Sequence, residues 1–289
     1  MKKDVFDNLP VLSKREALEI LSTPIDKLEL SSDYYKAVFH LYKYPGLDTE
    51  KALLNLLESP SEQSCISIAK RKAIEVLARH GCTRAIPKIA NYLRSNDPYL
   101  VENAAWALKL LNCHDQDLIM AIKNLLDDPR QNIRVLIQVL GQIGSLTAVS
   151  RIKSFIDDTE SSSGIKGASI AAVKKLSGEN YQTDLLIHFL ELPNQNDRQC
   201  AINDIIDLGD EKMLPLVLKT PVAPSFRMRA INKIWPNNVN QLNGLDLCFA
   251  IDRIIEDDPN YLKLKVSNHE RLNNTELVNN LFSTNFETC

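Results

Sequence analysis

The sequence predicts an all-α protein, an α-solenoid of stacked helix pairs, and three observations carry that prediction. The segments "KRKAIEVLARHG", "VENAAWALKLLN", "IRVLIQVLGQIG", "KGASIAAVKKLS", "RQCAINDIIDLG" and "RMRAINKIWPNN" superimpose. One apolar column runs through Leu77, Leu108, Leu140, Val173, Ile205 and Ile234, at steps of 31, 32, 33, 32 and 29 residues. A turn position closes five of these segments, at Gly81, Asn112, Gly144, Ser177 and Gly209, where a helix C-terminus favours Gly or Asn. Only nine glycines and 6% aromatic residues argue against an all-β chain, and abundant Leu, Ile, Ala, Lys and Glu favour helix.

The elements follow in order. Residues 1–33 form an N-terminal region whose "SKREALEIL" reads as a capping helix. The repeats occupy 34–258 and begin with a degenerate unit, "YYKAVFHLYKYP" then "TEKALLNLLESP". After each turn comes a second apolar stretch: "AIPKIANYL", "DLIMAIKNLL", "AVSRIKSFI", "TDLLIHFL" and "KMLPLVLKT". Loops rich in Asp, Asn and Pro, such as "SNDPY", "DDPRQ" and "LPNQND", end the units. "GLDLCFAIDRIIEDDP" reads as a closing helix, and 259–289 as a polar tail, partly disordered. One helix pair cannot hide its apolar face alone; stacked neighbours complete the core.

Composition sets limits on function. The chain has 289 residues, 44% hydrophobic and 25% charged, enough for a large core. A net charge of −3 disfavours nucleic acid as a partner, because phosphate neutralisation needs a basic excess. No apolar run approaches the ~20 residues that span a bilayer, and the start is not a secretory signal. Membrane insertion is therefore not expected, and a cytoplasmic location is. The six cysteines form no C-x-x-C pair, so no metal site is expected. Cys82 and Cys113 are equivalent in adjacent repeats, where helices stack ~8–10 Å apart, too far for a disulfide. The chain holds no G-x-S-x-G, phosphate loop or H-E-x-x-H.

Two columns stand out. Trp106 lies two residues before Leu108, off the apolar stripe of Leu100, Val101, Ala104, Ala105, Leu108 and Leu111. Its equivalents Glu75, Gln138, Ala171, Asn203 and Asn232 are polar or small. Two readings stay open: Trp106 tucks under a loop such as "NDPY" with Tyr99, or it offers a flat surface to a planar ligand or partner. The second column is basic: Lys70, Lys166, Arg198 and Arg227, with Arg71 and Arg134 one residue further along. Cations near helix N-termini oppose the macrodipole, so another interaction must favour them. That is an Arg–Asp ladder using Asp97, Asp128, Asp158 and Asp197, or a carboxylate-binding edge.

The units resemble HEAT-like repeats of the phycobilisome lyase family. "KRKAIEVLARHGCTRAIPKIANYL" resembles its repeat start, and "DPYLVENAAWALKLLNC", "NQNDRQCAINDIIDLGD" and "PVAPSFRMRAINKIWP" resemble the bilin lyases that load phycoerythrin-type antenna proteins. The likeness runs from about Tyr34 to Pro236. It implies an enzyme that attaches a phycobilin, phycoerythrobilin in the first instance, by a thioether to a cysteine of an apo-phycobiliprotein such as a phycoerythrin subunit. The pigment would be substrate, with no cofactor, and a second lyase subunit is a further candidate partner. Isomerising relatives carry Asn-His-Cys; "NCHDQ" at Asn112–Gln116 has His and Cys in the opposite order.

On this resemblance Tyr99 and Trp106 would stack the pigment, and Arg134, Arg198 and Arg227 would hold its propionates. Glu102 or Asp197 would pair with pyrrole nitrogens or shuttle a proton. The rival reading is a non-catalytic HEAT-repeat chaperone or adaptor for phycobiliprotein assembly.

Overall fold

The computed structural model describes residues 11–30, 32–60, 64–236, 239–242 and 244–258, so the polar tail from 259 lies outside the described residues. These form two compact units that divide between Thr183 and Asp184.

The first unit holds α1 (Lys14–Ser22), α2 (Asp33–Leu41), α3 (Leu47–Glu58), α4 (Ser64–Arg79), α5 (Ile86–Asn91), α6 (Pro98–Leu110), α7 (Gln116–Asn124), α8 (Ile133–Ile143), α9 (Val149–Asp157) and α10 (Ser163–Ser177). The first helices α2, α4, α6, α8 and α10 pack side by side as one layer. Each of α3, α5, α7 and α9 packs against the first helix that follows it, making a second layer. Helix α1 lies against α2 and α3. Its start is a capping box: Ser13 Oγ accepts from Glu16 N, and Glu16 Oε2 accepts from Ser13 N at 2.8 Å.

The second unit holds α11 (Leu185–Phe189), α12 (Gln195–Leu208), α13 (Leu214–Lys219), α14 (Pro224–Ile234) and α15 (Leu247–Glu256). Here α12 packs on α14, α11 on α12, α13 on α14 and α14 on α15. Ahead of α15 stands a hairpin that sequence periodicity does not show: β1 (Gln241–Leu242) pairs antiparallel with β2 (Leu245–Asp246), Leu242 opposite Leu245. The closing helix therefore begins at Leu247 rather than at Gly244, with Asp246 as its N-cap.

The apolar column is core: Leu77, Leu140, Val173 and Ile205 are wholly buried, and Leu108 and Ile234 nearly so. The turn positions also hold, with one correction. Gly81, Asn112, Gly144 and Gly209 have positive φ, but α10 runs through Ser177 and ends at Gly178 (φ 76°). Glycine tolerates that left-handed conformation and serine does not. One further glycine sets a spacing: a Cβ on Gly141 of α8 would lie 2.9 Å from the Ala172 Cβ of α10.

Cys82 and Cys113 are free, buried thiols. Among the described residues no helix is long and apolar enough to cross a membrane.

Candidate functional site

Helix α6 has two faces. Leu100, Val101, Ala104, Ala105 and Leu108 lie in the core. Tyr99, Glu102, Asn103 and Trp106 share the opposite side, spaced three or four residues apart. The Trp106 indole is half-buried. The Arg79 guanidinium of α4 lies 5.4 Å from its ring centroid and the Lys109 ammonium 5.5 Å. Trp106 thus packs among cations, while Tyr99, 61% exposed, lies against the guanidinium of Arg71 at 4.6 Å. The two aromatics lie against different cations.

The same pattern continues across α4 to α2. Arg79 also stands 5.9 Å from the ring of Tyr42, which in turn stacks on His80 at 6.1 Å. His80 Nε2 lies 2.8 Å from the Tyr42 carbonyl and fixes that ring pair. Lys72 lies 5.4 Å from the ring of Phe39. Glu75 ties the cations of α4 together, accepting from Lys72 Nζ at 2.8 Å and Arg79 Nε at 3.0 Å. Phe39 and Tyr42 remain 49% and 44% exposed. The result is a face where rings and cations alternate over three adjacent first helices.

Sequence reasoning missed four of its members: Phe39, Tyr42, Lys72 and Arg79. A signal was present. Phe39 precedes the buried Leu41 by two residues, as Trp106 precedes Leu108. Lys72 and Arg79 stand three before and four after Glu75, the α4 member of the Trp106 column.

The basic column has a different task. Arg71 donates to Asp97, the N-cap of α6, at 2.7 Å. Glu102, one repeat on in that register, accepts from Asn132, the N-cap of α8, at 3.0 Å. Arg134, half-buried, donates to the Gly164 carbonyl in the first turn of α10. In the second unit Arg198 donates to the carbonyl of Pro221, ahead of α14, and to those of Leu192 and Pro193 at 2.6 and 2.8 Å. Arg227 is 7% exposed and donates to Asp257 at 2.6 Å. These side chains stitch a first helix to the start or end of a neighbouring element, which is the interaction that outweighs the macrodipole.

Two expectations are corrected accordingly. Arg198 and Arg227 are not forks open to a ligand, because backbone carbonyls and a carboxylate of the chain itself engage them. The ladder is also less regular than a run of Arg–Asp rungs. Asp97 is a rung, but Asp128 turns back to Arg130, two residues away, at 2.8 Å. That pairing, with Gln131, holds the Asp128 carboxyl far below the usual carboxylate range. Lys70 is buried and donates to the Ser59 carbonyl; burial lowers its pKa. The two candidate carboxylates are Glu102 on α6, beside Trp106 in the first unit, and Asp197 in the first turn of α12 in the second; both are half-buried. Among the described residues no group of three or more His, Cys, Asp or Glu could hold a metal ion.

The fold defines the class, an all-α solenoid of HEAT-like helix pairs. No protein-family model matches the sequence. Individual proteins do. The chain is 36% identical over 260 residues to bilin biosynthesis protein CpeY from Synechococcus sp. (strain WH8020), covering 89% of this chain and 61% of that protein. It is 29% identical over 280 residues to the uncharacterized phycocyanin operon protein Y of Pseudanabaena tenuis (strain PCC 7409), covering 96% of this chain and 66% of that one. It is 25% identical over 255 residues to phycocyanobilin lyase subunit alpha of Nostoc sp. (strain PCC 7120), covering 82% and 91%. The chain thus spans under two thirds of the length of the first two relatives. In fold it matches the complex of CpcE and CpcF of phycocyanin lyase from Nostoc sp. PCC7120, with a TM-score of 0.69 over 89% of this chain and 97% of that chain, at 23% identity. The chain is thus similar in sequence to a bilin biosynthesis protein and to a phycocyanobilin lyase subunit, and in fold to a phycocyanin lyase complex.

Proposed function

We propose that this chain is a bilin lyase that attaches a phycobilin, phycoerythrobilin in the first instance, to a cysteine of an apo-phycobiliprotein of phycoerythrin type. The observation that carries the reading is the 36% identity to a bilin biosynthesis protein across 89% of the chain. The ring and cation face supports it, since a bilin is flat, apolar in its middle and carries two propionates.

In the reaction the substrate's thiol adds across the ethylidene of the pigment's A ring. A carbon–sulfur bond forms, the exocyclic double bond is consumed, and the thiol proton ends on the ring carbon. The lyase contributes orientation, holding the A ring near the thiol in one stereochemical sense. The nucleophile belongs to the partner; in this chain Cys82 is buried, and burial and the Glu50 carboxylate push its pKa up. Trp106 and Tyr99 stack the pigment, and Arg134 on the neighbouring α8 meets a propionate. Glu102, on the same helix as Trp106, handles the proton. The pigment is substrate rather than resident cofactor, and a second lyase subunit is part of the proposal.

Co-expression with bilin synthesis and each candidate apo-subunit tests this. Acid-stable pigment on the subunit, above the spontaneous rate, supports the lyase; rate parity supports a chaperone or adaptor instead. The spectrum of the pigmented peptide separates simple attachment from attachment with isomerisation to phycourobilin. Trp106→Ala should cut pigment binding at near-normal helix content; unchanged transfer would remove the stacking role.

A further inference from the structure

We infer that the face formed by Phe39, Tyr42, Lys72, Arg79, Trp106 and Lys109 is a binding site for a planar conjugated dicarboxylate, with Arg79 as the residue that recognises a carboxylate. This rests on the bilin reading above and gives it an anion-recognition residue outside the basic column.

Three observations point there. First, Arg79 lies near two rings, that of Tyr42, the C-cap of α2, and that of Trp106 on α6. A linear tetrapyrrole bears its propionates on its two central pyrroles. A cation near two aromatic plates matches that pairing of carboxylates with flat rings. Second, the register is held by protein contacts. Glu75 anchors Arg79 Nε at 3.0 Å and Lys72 at 2.8 Å, and His80 holds Tyr42 by stacking and through its carbonyl. Third, with Glu75 and the neighbouring Glu102 counted, the side chains named here carry three cations and two carboxylates, a balance opposite in sign to the −3 of the whole chain. A guanidinium over a ring gains about 0.5–2 kcal/mol. A charge-assisted bond to a carboxylate is stronger, so an arriving diacid draws the cation to itself and frees the ring face for stacking.

The test is a titration of the purified full chain with free phycoerythrobilin and, separately, with its dimethyl ester, followed by the pigment's absorbance and induced circular dichroism. Arg79→Ala should weaken binding of the diacid about tenfold and of the ester far less. Arg79→Lys should recover part of the loss, and Lys109→Gln should weaken the diacid selectively. Arg151→Ala is the control: it removes another cation–ring pair, 4.3 Å from Phe155, outside the face. Its affinities should equal the parent's. Helix content and midpoint of unfolding are measured for every variant. A parent chain that binds neither form, or a loss in folded Arg79→Ala equal for diacid and ester, overturns the site. If Arg79→Ala does not fold, Lys109→Gln decides by the same diacid-to-ester comparison. Binding and covalent transfer separate the two proposals. Pigment bound as described but never attached sinks the lyase and keeps the site; attachment by a chain whose Arg79→Ala variant binds like the parent sinks the site alone.

Discussion

Arg71 grips Asp97 at 2.7 Å while its guanidinium covers the ring of Tyr99, so one side chain holds both the N-cap of α6 and an aromatic of the candidate face. Asp97 also accepts from Tyr99 N at 3.0 Å. Asp97→Ala removes cap and ion pair together and should cost about 1–2 kcal/mol in urea unfolding. Asp97→Asn keeps a capping oxygen and should cost less. Equal losses would mean the cap contributes nothing.

Close approach at Gly141 gives a packing test. Gly141→Ala should destabilise the first unit by about 1–3 kcal/mol, because its methyl would meet Ala172 at 2.9 Å. Adding Ala172→Gly should recover much of the loss, and a double-mutant cycle measures the coupling. Additive effects would show that α8 and α10 shift apart freely.

Tyr92 predicts behaviour in alkali. Its hydroxyl donates to the Leu57 carbonyl, and burial raises its pKa from 10.0 to about 12. A raised folded value means that the stability it contributes is complete below about pH 10. That stability is lost as pH rises towards 12. The phenolate absorbance of folded protein should therefore show a late component that shrinks in Tyr92→Phe, leaving that of Tyr34, also raised by burial, and that variant should lose less stability over this interval. A normal titration for all tyrosines would contradict the burial.

Arg198 separates a stitch from a ligand clasp. Arg198→Ala leaves the carbonyls of Leu192, Pro193 and Pro221 without their shared donor, and should lower stability by about 2 kcal/mol. Binding of pigment and of its dimethyl ester should fall equally or not at all. A selective loss of the diacid would restore the carboxylate-edge reading.

The layered fold was legible in the sequence because the apolar column and the turn residues repeat, and both report backbone geometry. Gly178 was misplaced by one residue because Ser177 fills the turn's slot in the alignment, while only left-handed tolerance distinguishes the two. The hairpin before α15 was missed because two-residue strands carry no periodicity. Trp106 was visible as the odd member of its column. Its partner Arg79 was not, since Arg79 reaches it, and Tyr42 in turn, through side-chain direction across helices, which spacing along one helix cannot give. Arg198 and Arg227 were visible as cations, but their acceptors are carbonyls and an acid past α15, which alignment of repeat starts does not sample.

Each stitch within a unit joins positions a single period or less apart: Arg71 to Asp97, Glu102 to Asn132, Arg134 to Gly164, Arg198 to Pro221. A donor and its acceptor therefore travel in neighbouring copies of the motif. Duplication or excision of one whole copy would leave the remaining links between adjacent copies intact, so a lineage could lengthen or shorten such an array by gene rearrangement without first redesigning its fastenings.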